Sequence, residues 1–540
     1  MRIPLPRRGL LGGALSAAML PWDLALAQAP AGGATLRVGM TASAVPLANG
    51  VPDQGAEGHR FMGITLYDHL VTWDLSSFEK PAVLRPGLAS GWRVDPANQK
   101  RWIFTLREGV TFHDGKKLTA ADVVFSFDRA FKNDAPHFDP RASAQARIRF
   151  PTLAAWHAEG ERTFIIETTR VDSLVPFGCT WVGITHQGAW EAAGRDWDAY
   201  MNKAVGTGPW KLESFQVRER CVMTRNAAYW DAARVPKCER LILLPLPEAN
   251  TRVAALRSNQ VDFIEAPPPD AIPSLQQAGY SVVTNKYPHN WTWHLSMVEG
   301  SPWRDIRIRK AANLALDREG MKTMLGGVMA PGAGLLPPGH PWHGNPSFKL
   351  EYKPDEARRL LAEAGYSPRN PLRTKVGIST SGSGQMQPLP MNEAVQQNLK
   401  EIGIEVSFEV IEWNALLGIW REGAKAPSNR GISAINISYA ALDPFTSIIR
   451  FLKTDLVPPA ANNWGYFSDA SYDAMMNQVY ETFDSTAQDA LLARLHERIV
   501  NDALFLFVAH DLNPRAMSRR VKGFVQAQSW FQDLTPIRLE

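Results

Sequence analysis

Cysteine is scarce in this chain, which has three in 540 residues. Three cannot build a disulfide framework, and no C-x-x-C pair or Cys/His cluster at zinc spacing is present. Long apolar runs are missing too. Beyond the N-terminal leader none approaches the roughly 20 residues that a membrane-spanning helix needs. No charge of one sign dominates either. The formal net charge is +4, and Arg2, Arg7, Arg8 and Asp23 supply +2 of it. Without a basic domain or stripe, no nucleic acid is expected as partner.

The common catalytic signatures are also absent. The helical run 491–500 carries His496-Glu497, but a zincin needs a second His where Val500 stands. Gly326-Gly327 and Gly332-Ala333-Gly334 have neither the phosphate-loop Lys nor dinucleotide spacing. Ser379, Ser381 and Ser383 do not fit G-x-S-x-G. His289 and His294 lack a third ligand nearby, so no metal is expected. The reading is of a protein that is not an enzyme and carries no cofactor. An exported hydrolase is the rival, and it would need a nucleophile, acid pair or metal set that the sequence does not display.

What is present is an ordinary folded composition with one outlying figure. Trp occurs 18 times; the core alone could absorb them, but Trp is also a residue that lines ligand clefts. The N-terminus reads as an export signal over 1–29. Arg7-Arg8 precede an apolar run from Gly9 to Leu20, and Ala25-Leu26-Ala27 or Ala27-Gln28-Ala29 offers small-x-small cleavage. The paired Arg resembles a twin-arginine signal, an ordinary Sec signal being the alternative. No Cys precedes Cys179, so no lipid-attachment Cys stands at the cleavage site. The expected location is the periplasm, as a soluble protein and not a lipoprotein.

Further on, apolar periodicity switches repeatedly between two and about 3.6. Residues 35–40 (TLRVGM) and 101–106 (RWIFTL) alternate as half-buried strands do. His113-Asp114-Gly115 signals a tight hairpin. Thr119 caps a helix through Phe131, with Asp122 as its acidic partner. Helices are expected over 309–317, 355–364 and 395–402, the last closed by Gly403 before a strand over 404–411. No long linker and no internal repeat interrupts the chain. The mixture is an α/β fold, with helices packed on sheet faces.

Five ordered blocks carry a resemblance to a known family. They are 66–74 (LYDHLVTWD), 86–92 with 104–127 (PGLASGW, FTLREGVTFHDGKKLTAADVVFSF), 205–230 (VGTGPWKLESFQVRERCVMTRNAAYW), 306–317 (IRIRKAANLALD) and 352–366 (YKPDEARRLLAEAGY). Together they resemble the family 5 extracytoplasmic solute-binding proteins, the dipeptide- and oligopeptide-binding components of ABC importers. The resemblance implies a two-lobed, type II periplasmic binding protein with an extra subdomain, closing over a central cleft. The first lobe would take 35–71, 201–288 and 511–540. The extra subdomain would take 72–200 and the second lobe 289–510, with hinges near 285–290 and 508–512. Such a protein works as a monomer, binds a peptide or other small solute, and presents it to ABC permease subunits in the inner membrane.

The resemblance also points to ligand contacts. Glu412-Trp413 stands where relatives place a Trp bordering the cleft, so Trp413 is the leading candidate. Anchored on Asp443-Pro444, the acid that pairs with a peptide's α-ammonium falls at Ala440. Trp420 falls where oligopeptide binders can carry an Arg. An uncompensated buried ammonium costs several kcal/mol, so an ordinary free-amine peptide loses its main anchor here. Asp443 is the possible substitute, against its reading as an Asp-Pro turn residue. Asn436, Ser438 and Tyr439 complete a neutral segment, and an aromatic, neutral cleft is expected. Gln54 in the loop after the first strand, Trp291 on the strand after the crossing (in line with Trp293), and Trp464 beside Asn463 are further candidates. A modified peptide, a sugar, an opine or an aromatic compound are the alternative ligands. Finally, Cys221 and Cys238 flank the turn-rich segment 226–236. Symmetric pairing about it would join them in a disulfide, two buried thiols being the alternative.

Overall fold

The computed structural model describes residues 33–53, 57–287 and 289–540. The expected export signal and Gln54 lie outside these residues. Three sheets of four or more strands organise the described chain, beside two two-stranded ones. The first has seven strands, in the order Ser281–Val283, Arg515–Met517, Phe263–Glu265, Thr35–Met40, Arg240–Pro245, Arg220–Arg225 and Trp210–Gln216. Thr35–Met40 lies at its centre, parallel to both neighbours. That position, covered on both faces, buries Leu36, Val38, Gly39 and Met40 together.

The second sheet has six strands, ordered Met329–Pro331, Phe505–Asp511, His289–Leu295, Ala434–Ala440, Leu372–Ile378 and Ile404–Val410. Every residue of His289–Leu295 is buried, because helices and loops cover both faces of this central strand. Trp291 and Trp293 pack into its core, their indole N–H groups donating to Gln385 O and Asn392 Oδ1. A smaller antiparallel sheet of four strands, Ala89–Asp95, Asn98–Leu106, Thr163–Thr168 and Leu153–Glu159, lies between the first two strands of the seven-stranded body in sequence. The chain passes between the two large sheets at 283–289 and 511–515.

Local signals mark several element ends. Thr119 and Asp122 form a capping box for the helix Ala120–Phe131. Pro354 opens the helix Pro354–Glu363, with Asp355 and Glu356 in the first turn where the helix dipole favours them. Gly403, at φ +103°, ends Pro388–Ile402 in the left-handed region that a glycine tolerates without strain. The helix expected over 309–317 divides in two. Ile306–Leu314 stops early, and Asp317 caps the next helix, Arg318–Met324, by accepting from Gly320 N.

The expected disulfide is corrected. Cys221 and Cys238 are both free, buried thiols, as is Cys179. In the ladder between Arg220–Arg225 and Arg240–Pro245, Cys221 sits opposite Leu243. Cys238 precedes its strand and directs its Sγ at Ile537 O, 3.3 Å away. The connection is not symmetric about the two cysteines, so the register separates them.

Candidate functional site

A cavity of about 340 Å³ lies between the two large sheets. Arg60, Glu265 and Arg515 line it from the seven-stranded body, and the run Thr380–Pro388 with Trp413 lines it from the six-stranded one. The charges on its floor are matched. Arg60 pairs with Glu265 and, at 3.5 Å, with Glu57, while Arg515 lies 3.2 Å from Glu265. Removing such ions from water is tolerable because each meets an opposite charge. At the crossing, Tyr287 donates to Asp511 at 3.2 Å, and burial raises the Asp511 carboxyl to about 6. His289, also buried and near Arg60, is held neutral with its pKa pushed down to about 3.

The STSGSG run, which matches no catalytic motif, builds one wall of this cavity. A Cβ on Gly382 (φ +141°) would stand 2.6 Å from the Trp413 ring. One on Gly384 (φ +69°) would stand 2.7 Å from His289 Nε2. Glycine therefore lets the loop lie flat against both aromatic rings. Ser383 Oγ donates to Glu57 Oε1 at 2.6 Å and ties the two bodies together across the cavity. Behind the loop, Gln385 Nε2 donates to Ser438 Oγ at 2.6 Å, Ser438 Oγ donates to Gly384 O, and Trp291 holds Gln385 O.

A second, smaller pocket of about 80 Å³ shares Ser383, Trp413 and Trp530 with the first. Its walls include Trp181, Trp420, Tyr439 and Ala440. Two cations also line it, Arg149 from the segment before the fourth strand of the small sheet and Arg450 from the helical turn after Asp443-Pro444. Burial, then mutual repulsion, lowers Arg149 to about 9; burial lowers Arg450 to about 10. The pocket is aromatic as the sequence suggested, but it is not neutral. Arg450 left a readable trace, a lone charge in the otherwise uncharged run 445–452. Arg149 and Trp530 left none, since nothing in their own segments marks them as neighbours of Trp413.

The candidates separate by place. Trp413, Ser438 and Tyr439 line the small pocket. Glu412 caps the helix Trp413–Glu422, which fixes where the indole begins. Asp443 is buried beside the pocket, with both oxygens accepting from Thr446 N and Oγ1 at 2.8 and 2.7 Å. Asn436 is buried in a side-chain ladder, accepting from Asn392 and donating to Thr292 O. Trp464 is buried in the hydrophobic core of the second body. Neither Asn436, Trp464 nor Trp291 is among the residues lining the two cavities. Among the described residues no group of three or more His, Cys, Asp or Glu could hold a metal ion.

Residues 83–454 match the model of the bacterial extracellular solute-binding proteins, family 5. The chain belongs to this family. As a family 5 solute-binding protein it is similar to heme-binding protein A of Haemophilus influenzae, at 24% identity over 86% of this chain and 84% of the relative. It is similar as well to the periplasmic oligopeptide-binding protein OppA of Escherichia coli, at 24% identity over 96% of each chain. The solved dipeptide-binding protein of Pseudoalteromonas sp. SM9913, in complex with Met-Leu, superposes with a TM-score of 0.79 at 19% identity, covering 94% of this chain and all of that one. The two-lobed, α/β fold of a periplasmic binding protein is thus shared, and the cavity between the large sheets is the interlobe cleft. No helix among the described residues is long and apolar enough to cross a membrane.

Proposed function

We propose that this family 5 protein is the periplasmic receptor of an ABC importer, capturing one small solute in the interlobe cleft and delivering it to permease subunits. The observation that carries the reading is the clasp. Ser383 and Glu57 join the lobes over a cavity walled from both sides, while the chain crosses between the sheets at two places. A ligand filling that space touches both lobes, so it stabilises the closed form by its preference for it. The first lobe takes 35–71, 201–288 and 511–540, the extra subdomain 72–200, and the second lobe 289–510. The protein acts as a monomer and binds without chemistry, exported over the signal at 1–29. Trp413, Ser438 and Tyr439 are the contacts we assign to the ligand. Asp443 is committed to Thr446, which supports a turn role rather than an amine anchor.

The relatives' names span heme, oligopeptides and dipeptides, so kinship supports solute capture and leaves the solute open. Ala440 and the two arginines favour a solute other than a free-amine peptide. The test is mass spectrometry of the solute extracted from purified protein. The stripped protein is then incubated with that solute. A rise in melting temperature with the solute recovered intact supports a receptor. Consumption of the solute would instead indicate the hydrolase.

A further inference from the structure

We infer that the end of the solute entering the small pocket is anionic, a carboxylate on an organic body, received between Arg149 and Arg450. This rests on the receptor reading and deepens it by naming the ligand's chemical class.

The first support is an imbalance of donors. A guanidinium has five N–H groups in a fixed fork. Arg149 donates to Gln145 O, and its Nε is buried without a partner. Arg450 donates from Nε to Thr446 O at 3.0 Å. No other hydrogen bond and no ion pair is made by either group among the described residues. The indole N–H groups of Trp413, Trp420 and Trp530 are also buried without partners there. Asp443 is a nearby carboxylate that offsets one of the two positive charges through space, but its oxygens accept from Thr446 and it makes a hydrogen bond or ion pair with neither arginine. The pocket therefore presents spare donors and a net positive charge.

The second support is how this protein treats its other buried arginines. Arg252 donates to the carbonyls of Glu265, Leu246, Pro247 and Ala266. Arg318 donates to the carbonyls of Phe507, Asn313 and Leu350 and to Asn313 Oδ1. Arg129 has Asp139 and Asn49 O, with Nε alone left without a partner. Leaving a buried cation unmatched is costly, and each of these arginines has at least two hydrogen bonds where Arg149 and Arg450 have one apiece. At Arg149 and Arg450 it leaves a space that a planar oxyanion fills, accepting from both forks. Aromatic faces already back the two cations, with Arg149 3.7 Å from the Trp181 centroid and Arg450 4.4 Å from that of Phe451. The small pocket takes the carboxylate and its nearest carbons. The body of the solute passes Trp413 and Trp530 into the larger cleft.

The test uses protein stripped of solute by unfolding and refolding, with two matched sets of probes. These are phenylacetate, phenylacetamide and phenethylamine, and hexanoate, hexanamide and hexylamine, with sulfate and phosphate alongside. Thermal shift and calorimetry should show carboxylates binding about tenfold or more tightly than their amides, the factor expected for charge-assisted hydrogen bonds. Arg450→Gln should bring carboxylate and amide to equal affinity, and Arg450→Lys should keep part of the difference. Arg149→Gln, on the half-buried partner, gives the same readout should Arg450→Gln fail to fold. Amides or amines binding as well as carboxylates would overturn the assignment. So would a carboxylate preference that survives both Gln variants, or binding of sulfate or phosphate without any carboxylate. The extracted solute separates this proposal from the receptor reading. A neutral or cationic solute keeps the receptor and removes the anion site. No carried solute and no bound probe removes both.

Discussion

His496 sits fully buried on the helix Ser485–Asn501, and its hydrogen bonds fix both the tautomer and the charge. Nε2 accepts from Leu335 N at 2.9 Å and Leu336 N at 3.2 Å, while Nδ1 donates to His343 O at 2.7 Å. Gly334 lets the loop come this close, since a Cβ there would be 2.4 Å from Nε2. Protonation would turn an acceptor facing two N–H donors into a third donor, inside a desolvated site. Burial accordingly lowers the pKa from 6.5 to about 3. The unfolded chain binds the proton more readily than the native one between those values, so stability falls as pH drops from about 6.5 toward 3. For this one group, linkage gives a loss of about 2 kcal/mol between pH 7 and pH 5. His496→Gln keeps an acceptor and does not titrate. Urea denaturation followed by Trp fluorescence at several pH values should show the variant losing less stability on acidification than the native chain, by about that amount. Parallel pH profiles would refute the argument, whatever the variant's stability at neutral pH.

Trp413→Ala should weaken binding of the extracted solute by about 1–3 kcal/mol in calorimetry, through lost aromatic cover. Ser383→Ala removes a charge-assisted hydrogen bond between the lobes, so solute release should speed up by about tenfold in stopped-flow fluorescence. Ala440→Asp places a carboxylate in the pocket with Arg149 and Arg450; the solute-free protein should melt higher, and carboxylate binding should be lost. Thiol titration should find three reactive cysteines in denaturant without reductant, and far slower reaction in the native state, where burial raises all three thiol pKa values.

Much of the local structure was legible because short-range physics sets it. Alternation in TLRVGM, the Thr119–Asp122 box, Pro354 with its two acids, and Gly403 after Ile402 each carry their reason within a few residues. The helix over 309–317 was misplaced because Asp317 was read as an end when it is the next helix's cap. Trp413 could be named only through the family resemblance, by the Glu412-Trp413 pair that follows the strand after Gly403. The family was legible for another reason: its turns and buried positions are spread along the whole chain.

Cleft chemistry was different. The small pocket joins Arg149, Ser383, Trp413, Arg450 and Trp530, drawn from distant segments, and no spacing in the sequence links them. Asn436, Trp291 and Trp464 illustrate the converse. Their residue types suit a ligand, but ladder position gives Asn436 to Asn392, the covered central strand gives Trp291 to Gln385, and the core encloses Trp464. Cys221 and Cys238 were parted by register, which a turn-rich connection does not set symmetrically. Sequence determined which segments fold and to which family they belong, because those signals are local or repeated along the chain. Only tertiary structure decided that two cations face an aromatic pocket with one carboxylate nearby and none in direct contact, because charge balance in a buried site depends on which side chains meet in space.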